Sequence, residues 1–470
     1  MPDFDPSNLS NWTGGEWTSL PEFCCNGFSI DSRKPCKNSL FVALKAERDG
    51  HDFLTQAISS GAIGGIVDHQ VTSADCPQLI VKNPLLAFQE IARNHRKSFT
   101  GKVIGVTGSC GKTTTKEILN TLLSKSYCTE GNLNNHIGVP LTLSKISSEK
   151  HDYAVIEAGI NQTDEMDKLA EMIDPDICLI TSIAPSHLDG LGTIDTVARE
   201  KSKLWLNGKE STVAVFPEEL LQFDSFAQAI DERPCITIRE GACRNSDIPL
   251  NQVFYKLSTE TNERGYSKTL QINRFGCPPL FISIPHVSAG NIRNMVLACV
   301  AAWKLGVTDQ QIFDRLPQYR PTGLRGSCLV GQGSSYVLDC YNANPASMLD
   351  SIEFFYEKFM NQSKLLILGG MNELGTDSKK LHYETGRSIN LGSSDQVILI
   401  GEHTLELANG LMENGATAKQ ISIISNLENA KPIINEFTGV VLLKGSRSYQ
   451  LERLIPTWAE AEIEPLRIAC

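Results

Sequence analysis

Short apolar runs alternate with amphipathic segments along most of the chain. Runs rich in Val, Ile and Leu are typical of strands in a sheet covered on both faces, and apolar residues three and four positions apart predict helices. The predicted strands span residues 39–44, 64–67, 103–106, 153–156, 177–182, 212–216, 336–338, 365–368, 397–400, 421–424 and 440–443. The clearest predicted helices span 52–60, 165–173 and 291–305. Such alternation predicts an α/β fold with parallel sheets.

The same pattern divides the chain into three predicted domains: 1–100, 101–318 and 319–470. Within the second domain, residues 245–285 have few helix formers and two alternating segments, which predicts an antiparallel insertion or edge. Residues 320–323 contain Pro and Gly and read as a linker. The five apolar strands that follow predict a third domain of the doubly wound, Rossmann-like kind.

A glycine-rich turn connects the strand at 103–106 to a helix, in the segment TGSCGKTT at 107–114. Gly108 and Gly111 allow the backbone N–H groups to face phosphate oxygens, and the helix turns its positive end to the same anion. Lys112 then reaches the outer phosphates, and the Thr113 hydroxyl can bind Mg²⁺. The full Walker pattern wants glycine where Val106 stands, so the match is to a shorter P-loop. We expect a central P-loop domain that binds ATP.

Composition narrows the class of protein. The 470 residues carry 43 basic and 54 acidic side chains, a formal charge of -11, which argues against a nucleic-acid partner or an anionic membrane surface. The 14 cysteines are scattered and form no CxxC pair, which favours reduced thiols over a disulfide framework or a zinc site. Because neither a signal sequence nor a membrane-length apolar run is evident, we expect a cytoplasmic protein without membrane insertion.

Two residues that follow predicted strands of the second domain are candidate metal ligands. Glu157 ends one strand and His187 follows another, and the carboxyl ends of parallel strands meet at one edge of the sheet. Asp189 is a weaker candidate. Lys201 falls on the next helix, but no sequence rule separates it from Lys203 or Arg199, since most helical lysines are solvated.

For several polar residues in the first and third predicted domains, the sequence pattern does not decide between a functional and a purely structural role. Asp339 ends a strand before the segment YNANP at 341–345, whose asparagines can contact a nucleotide or merely shape a turn. Lys444, Ser446 and Arg447 follow the last strand in a basic loop that can grip a carboxylate. On pattern alone, Asp31, Ser32 and Arg33 form an ordinary polar turn.

Several segments together resemble the Mur ligase family. They are TGSCGKTTTKE at 107–117, GNLNNHIGVPLTL at 131–143, YNANPASM at 341–348, LLKGSR at 442–447, SLFVALKAERDGHDF at 39–53 and GGMNELG at 369–375. The P-loop form is shared with folylpolyglutamate synthetases. The GNLNN and YNANP segments favour the Mur ligases that add D-alanyl-D-alanine to UDP-N-acetylmuramoyl-tripeptide. The resemblance spans nearly the whole chain.

This resemblance implies an ATP-dependent amide ligase of peptidoglycan synthesis, and so of cell-wall growth and division. Its three domains would hold the UDP-sugar, the ATP and the incoming dipeptide in that order, in a protein that we expect to be a monomer. The reaction would pass through an acyl phosphate. Two alternatives remain: a related Mur ligase that adds a single amino acid as the third peptide residue, and an ATP-binding protein without turnover.

The resemblance also implies roles for individual residues. ATP would be bound by Gly108, Ser109, Cys110, Gly111, Lys112, Thr113, Thr114, Asn291, Asn294, Arg325 and Asp339. Thr113 and Glu157 would bind one Mg²⁺, and His187 would bind a second with Lys201 as a carbamate; Lys112, His187 and Lys201 form the catalytic set. Substrates would contact Asp31, Ser32, Arg33, Asn132, Asn134, Asn135, Tyr341, Asn342, Asn344, Lys444, Ser446 and Arg447.

The chain departs from the family pattern at four positions. His136 stands where Glu is usual, Gly290 where His is usual, and Leu338 and Gly370 where Asp is usual. These changes affect the expected nucleotide and substrate contacts, and they leave the phosphate and metal set intact.

Overall fold

The computed structural model describes residues 2–22, 24–34, 36–262, 265–321, 323–331, 333–456 and 459–461. Three β-sheets form from three successive stretches of the chain, which confirms the predicted α/β class and the parallel character of the central and carboxy-terminal sheets. Thr322, in the predicted linker, lies outside the described residues. No described helix combines the length and apolar character needed to cross a bilayer.

The first sheet has five strands in the order β1-β5-β4-β3-β2, and all neighbours are parallel except β1 and β5. Its strands are β1 (Glu16–Trp17), β2 (Phe28–Ser29), β3 (Leu40–Val42), β4 (Gly64–Val67) and β5 (Gln78–Ile80). Its helices are α1 (Pro6–Thr13), α2 (Leu54–Ser59) and α3 (Pro84–Ser98). Helix α3 begins where Pro84 follows the Asn83 cap, and it leads directly into the second sheet.

The second sheet has nine strands in the order β14-β13-β12-β11-β10-β9-β6-β8-β7. They are β6 (Lys102–Thr107), β7 (Ser126–Cys128), β8 (Tyr153–Glu157), β9 (Ile177–Ile180), β10 (Val213–Pro217), β11 (Cys235–Glu240), β12 (Gln252–Asn262), β13 (Gly265–Arg274) and β14 (Leu280–Ile284). The strands from β7 to β12 pair in parallel, and β12, β13 and β14 pair antiparallel. The predicted antiparallel edge is confirmed.

Helices cover both faces of this second sheet. They are α4 (Lys112–Leu122), α5 (Gly138–Leu143), α6 (Glu165–Ile173), α7 (Leu188–Leu191), α8 (Ile194–Leu206), α9 (Asp224–Ala227), α10 (Ala289–Lys304) and α11 (Asp309–Arg315). Two separate apolar clusters result, one on each face, because the β-branched and Leu side chains of the strands alternate between them. Helix α4 packs against α10, so the phosphate loop is supported from behind.

The third sheet has seven strands in the order β19-β18-β17-β20-β16-β15-β21. They are β15 (Ser327–Gly331), β16 (Ser334–Asp339), β17 (Lys364–Gly369), β18 (Gln396–Ile400), β19 (Ile421–Ile424), β20 (Val440–Lys444) and β21 (Glu460–Ala461). The five predicted strands are all present and mutually parallel, and β15 and β21 add antiparallel strands that the pattern did not predict. The helices are α12 (Pro345–Lys358), α13 (Ser378–Arg387), α14 (Thr404–Glu413) and α15 (Lys431–Glu436).

Candidate active site

The phosphate loop joins β6 to α4 through two glycines in left-handed or extended conformations. Gly111 has φ +83°, and a Cβ at this position would lie 2.5 Å from Oδ1 of Asn294. Gly108 has φ +146°, and a Cβ there would overlap the Thr181 hydroxyl. Any larger residue would therefore push the loop away from its neighbours. Lys112 follows at the first turn of α4, as the sequence predicts.

The loop is fastened to the segment after β9. The Ser109 N–H donates to the carbonyl of Ser182 at 2.8 Å, the Ser109 hydroxyl donates to the carbonyl of Ala184 at 2.9 Å, and the Cys110 N–H donates to the Ser182 hydroxyl at 3.0 Å. The Lys112 ammonium folds back onto the carbonyl of Gly108 at 2.7 Å. Burial lowers the pKa of Lys112. These contacts fix the conformation of the loop and hold the Lys112 ammonium against it.

Glu157 lies next to the phosphate loop, at the end of β8. One carboxylate oxygen accepts a hydrogen bond of 2.9 Å from the Thr113 hydroxyl, and the other accepts one of 2.8 Å from the Asn134 amide. The Lys116 ammonium is 3.6 Å from the same carboxylate. The side chain is almost fully buried. The structure therefore brings Glu157, Thr113 and the GNLNN segment together.

His187 also faces the phosphate loop, across a shared cavity. It precedes α7 with a left-handed backbone (φ +55°), and its Nδ1 lies 2.5 Å from Oε2 of Glu373 in the third domain. The cavity it lines is the same one that Lys112 and Glu157 line. The sequence-based expectation that these three residues meet at one sheet edge agrees with this geometry.

Lys201 differs sharply from its neighbours on α8. Its side chain is fully buried, and its Nζ has no hydrogen-bond partner among the described residues. Burial, and secondarily the charge of Lys112, lowers the pKa of Lys201 well below its ordinary value. Lys203 instead pairs with Asp164, Asp167 and Glu200, while Arg199 is exposed. The structure thus separates three basic residues that the sequence could not.

A cavity of about 1320 Å³ lies between the second and third domains. Most of the predicted site residues line it: Ser109, Cys110, Gly111, Lys112, Thr113, Thr114, Asn132, Asn134, Asn135, Glu157, His187, Asn291, Asn294, Arg325, Asp339, Tyr341, Asn342, Asn344 and Lys444. Gly108 and Lys201 are not among the residues that line it. The cavity is large enough for a nucleotide together with part of a second ligand.

The third domain contributes a charged wall to this cavity. Lys444 is buried, with its ammonium 2.9 Å from the Asp339 carboxylate and donating to the carbonyl of Asn342 at 2.9 Å. The Arg325 guanidinium lies 3.8 Å from the centre of the Tyr341 ring, a cation–π contact. These pairs fix the side chains on this wall of the cavity.

Asn344 connects the third-domain wall of the cavity to the phosphate loop on the opposite side. Its side-chain oxygen caps α12 by accepting from the Ser347 N–H at 2.9 Å, and its amide nitrogen lies 2.9 Å from the Cys110 sulfur on the phosphate loop. One asparagine of the YNANP segment therefore shapes a helix start and also touches the loop of the other domain. The sequence left open whether these asparagines contact a nucleotide or shape a turn; the cap of α12 is a local structural role of Asn344, and the nucleotide contact stays a prediction.

Five predicted residues lie away from the cavity. Asp31, Ser32 and Arg33 are in the first domain, where Arg33 hydrogen-bonds Asp31 and lowers its pKa to about 2, while the Ser32 hydroxyl donates to Gln56. The remaining two lie in the turn after β20. Ser446 accepts from the Asn372 N–H, and Arg447 pairs with Glu452.

Three of the four departures have a structural explanation or a location in the cavity. A side chain at Gly290 would meet the Asp350 carboxylate, which accepts the Gly290 N–H at 2.9 Å. A side chain at Gly370 would meet the Tyr449 hydroxyl. Leu338 lines the cavity, while His136 is partly exposed, 4.0 Å from Glu165.

Two charged residues near the site were missed by the sequence reasoning. Lys116 donates to the carbonyl of Thr129 at 2.8 Å beneath Glu157. Glu373 contacts His187 from the other domain. Both stand inside the segments that carry the family resemblance, TGSCGKTTTKE and GGMNELG, and that position was the available signal.

Comparison with known proteins adds to this geometry. Residues 106–302 match the Mur ligase middle domain, and residues 326–447 match the Mur ligase, glutamate ligase domain. The UDP-N-acetylmuramoyl-tripeptide–D-alanyl-D-alanine ligase of Haemophilus influenzae is 32% identical over 91% of this chain and 92% of its own length. The chain belongs to the MurF family of Mur ligases.

Solved MurF structures share the whole fold. MurF from Acinetobacter baumannii superposes with a TM-score of 0.83 at 26% identity, covering 97% of this chain and 98% of its own. The MurF ligase of Thermotoga maritima, solved in complex with ADP, has a TM-score of 0.76 at 25% identity and covers 91% of this chain and 96% of its own. As a member of the MurF family, the protein is a ligase.

Proposed function

We propose that the protein joins D-alanyl-D-alanine to UDP-N-acetylmuramoyl-tripeptide at the expense of ATP. The observation that carries this proposal is the single cavity in which Lys112, Glu157 and His187 face the third-domain residues Arg325 and Lys444. Such an arrangement can hold a triphosphate beside a carboxylate and neutralise both. It also agrees with the MurF relatives, whose name states this reaction.

Mg²⁺ suits the residues beside the phosphate loop. The Thr113 hydroxyl and the Glu157 carboxylate are hard oxygen ligands already in contact at 2.9 Å, and Mg²⁺ prefers such ligands together with phosphate oxygens. When bound, the ion would neutralise charge on the outer phosphates of ATP. The Lys112 ammonium would leave the carbonyl of Gly108 and bind the same phosphates.

A second cation would be held by His187 and a carbamate of Lys201. The buried, unpartnered Nζ of Lys201 supports this assignment, because a neutral amine is the form that adds CO₂ and releases a proton. Burial, and secondarily the charge of Lys112, lowers the pKa of Lys201, which favours that neutral form. The carbamate would convert an otherwise unsatisfied buried group into an anionic ligand.

In the reaction, the terminal carboxylate of the tripeptide attacks the γ-phosphorus and ADP leaves. The amine of the dipeptide then attacks the acyl phosphate, releasing inorganic phosphate. Lys112 stabilises charge on the transferred group, and the contact of Asn344 with Cys110 helps to close the third domain over the loop. Closure excludes water, which would otherwise hydrolyse the acyl phosphate.

The three domains divide the substrates. Residues 1–100 would bind the UDP-sugar, with Asp31, Ser32 and Arg33 at the uridine end. Residues 101–318 would bind ATP, with Asn291 and Asn294 beside the adenine and Asn132, Asn134 and Asn135 near the peptide. Residues 319–470 would bind the dipeptide through Tyr341, Asn342, Asn344, Lys444, Ser446 and Arg447. We further propose that the protein acts as a monomer in the cytoplasm.

Phosphate release with paired omission of substrates tests this function. We expect release only when ATP, Mg²⁺, UDP-N-acetylmuramoyl-tripeptide and D-alanyl-D-alanine are all present. Release with a UDP-dipeptide and a single amino acid, and not with D-alanyl-D-alanine, would replace the proposal with another Mur ligase activity. Binding of ATP without release under any combination would indicate a protein without turnover.

A further inference from the structure

Two non-glycine residues with left-handed backbones meet where the second and third domains touch. His187 has φ +55° and Glu373 has φ +63°. The main chain of Glu373 accepts the Leu188 N–H at 2.7 Å, so the two turns are joined by backbone as well as by side chains. Such conformations carry a local cost and persist only where the surroundings fix them. The surrounding structure therefore fixes the backbone conformation of both residues at this contact.

The side-chain contact selects one nitrogen of His187. Nδ1 lies 2.5 Å from Oε2 of Glu373, although the ring is turned so that the N–H does not point squarely at the oxygen. A carboxylate beside Nδ1 favours the tautomer with its proton there. Nε2 then keeps its lone pair, and it has no partner among the described residues.

The Glu373 carboxylate reaches His187 from the far side of the contact between the two domains. A carboxylate that orients a metal-binding imidazole raises the basicity of the ligating nitrogen and fixes the ring. Here that carboxylate belongs to a different domain from the imidazole.

We propose that Glu373 is a positioning residue that holds His187 through Nδ1 so that Nε2 binds the second cation, and that this couples cation affinity to docking of the third domain. The proposal rests on the proposed role of His187 in metal binding. Because the coupling is reciprocal, the second cation stabilises the docked domain as much as docking strengthens the binding of the cation.

The test is Mn²⁺ binding to the full-length protein with a non-hydrolysable ATP analogue, measured by electron paramagnetic resonance. Glu373→Ala should weaken the second Mn²⁺ site by about 10- to 100-fold, as for other residues that orient metal ligands. Glu373→Asp should recover part of the loss. The first site, at Thr113 and Glu157, should be unchanged.

Glu384→Ala is the matched control. Glu384 also lies in the third domain, and both glutamate side chains are 51% exposed, but Glu384 pairs with Lys380 and not with His187. It should leave both Mn²⁺ affinities at the wild-type value. An equal loss in the Glu384 variant would mean that Glu373 acts only through general charge, and would overturn the proposal.

Separate outcomes distinguish this inference from the proposed function. If His187→Ala weakens the second Mn²⁺ site and Glu373→Ala does not, Glu373 is only a contact between domains and the inference fails. If His187→Ala also leaves Mn²⁺ binding unchanged, the metal role of His187 itself is wrong. Scattering measurements of domain closure on the same samples would show whether a change in closure occurs without a change in affinity, which would also reject the coupling.

Discussion

The Thr113 hydroxyl donates a hydrogen bond of 2.9 Å to the Glu157 carboxylate, although 44 positions separate the two residues in the chain. Thr113 lies in the first turn of α4 and Glu157 ends β8. The parallel pairing of β6 with β8 brings them together. Val106, which stands opposite Glu157 in this pairing, is only two residues before Gly108 of the phosphate loop. The hydroxyl and carboxylate that we assign to Mg²⁺ are therefore spaced by the sheet itself, before any ligand arrives.

The buried amine on α8 gives the first prediction. Lys201→Met keeps most of the side-chain volume and removes the amine, and we expect kcat to fall on the order of 100-fold, because an anionic ligand can no longer form. The mass of the wild-type protein under native conditions should include one CO₂ that the variant lacks. Steady-state kinetics and native mass spectrometry provide the two measurements.

Lys203→Met is the control for this prediction. The same chemical change two positions along the helix removes the cation shared by Asp164, Asp167 and Glu200. It should lower the free energy of unfolding by about 1 kcal/mol and leave kcat within a few-fold of wild type. Equal losses of kcat in the two variants would contradict a special role for Lys201.

A second prediction compares two glycines of the second domain with nearly the same φ angle. Gly111 has φ +83° and Gly306 has φ +85°, but a Cβ at Gly111 would meet Asn294, whereas nothing lies within 4 Å of one at Gly306. Both alanine variants should lose about 1–2 kcal/mol of stability from the left-handed backbone. Only Gly111→Ala should bind an ATP analogue more weakly, as titration calorimetry can measure; equal affinities would show that the loop tolerates the displacement of Asn294.

The thiol on the phosphate loop gives a third prediction. Cys110 is partly exposed and lines the cavity, so N-ethylmaleimide should react with it and inactivate the protein. An ATP analogue with Mg²⁺, at ten times its Kd, should slow this reaction about tenfold. Peptide mass spectrometry can follow Cys110 against the exposed Cys24, whose rate should not change. Unprotected alkylation of Cys110 would place the nucleotide elsewhere.

The fourth prediction concerns pH and the carboxylate that begins α11. Arg274 donates two hydrogen bonds to Asp309 at 2.8 and 2.9 Å, and the Trp303 indole donates a third at 2.7 Å. The Arg274 bonds, with that of Trp303, lower the pKa of Asp309 against the opposing effect of burial. The carboxylate therefore contributes stability above the unfolded pKa of about 3.9, and this contribution is lost as the pH falls through the lower folded pKa.

Asp309→Asn should reveal that contribution. At pH 7 we expect the variant to be less stable by about 1 kcal/mol, a modest value because the Asp309 side chain is 39% exposed. The difference should shrink as the pH falls from about 4 through the lower folded pKa, because the carboxylate of the unfolded chain is protonated first and that of the folded protein later. Urea unfolding at several pH values measures it, and a difference independent of pH would show that the charge of Asp309 is unimportant.

The sequence predicted most of the regular structure because its apolar periodicity is strong. The strand at 64–67 and the helix at 165–173 have the predicted bounds, and the phosphate loop begins its helix at Lys112. Short strands such as β1, β2 and β15 were missed, because they lack the continuous run of Val, Ile and Leu that marks the predicted strands. Their pairing depends on neighbours that are distant in the chain.

The positions of site residues could be predicted where the edge of one sheet determines them. They could not be predicted where side-chain packing or contact between domains determines them. Glu157 and His187 follow strands of one sheet, so their meeting with the phosphate loop follows from the strand order. Lys201 and Lys203 are equivalent in any sequence pattern, and only the packing of α8 buries Lys201 fully and leaves Lys203 paired with three carboxylates. Glu373 reaches His187 because two domains dock, a contact that no local pattern encodes.

Each of the three sheets has apolar clusters on both faces, and only a few buried residues, such as Ala92 and Leu141, pack into a cluster of the neighbouring sheet. Heating should therefore melt the chain in more than one calorimetric transition, and a single melting temperature would not describe the whole molecule. A nucleotide bound to α4 should raise the transition of the second sheet first. Any accompanying rise in the melting temperature of the third sheet would measure the strength of the contact between the second and third domains.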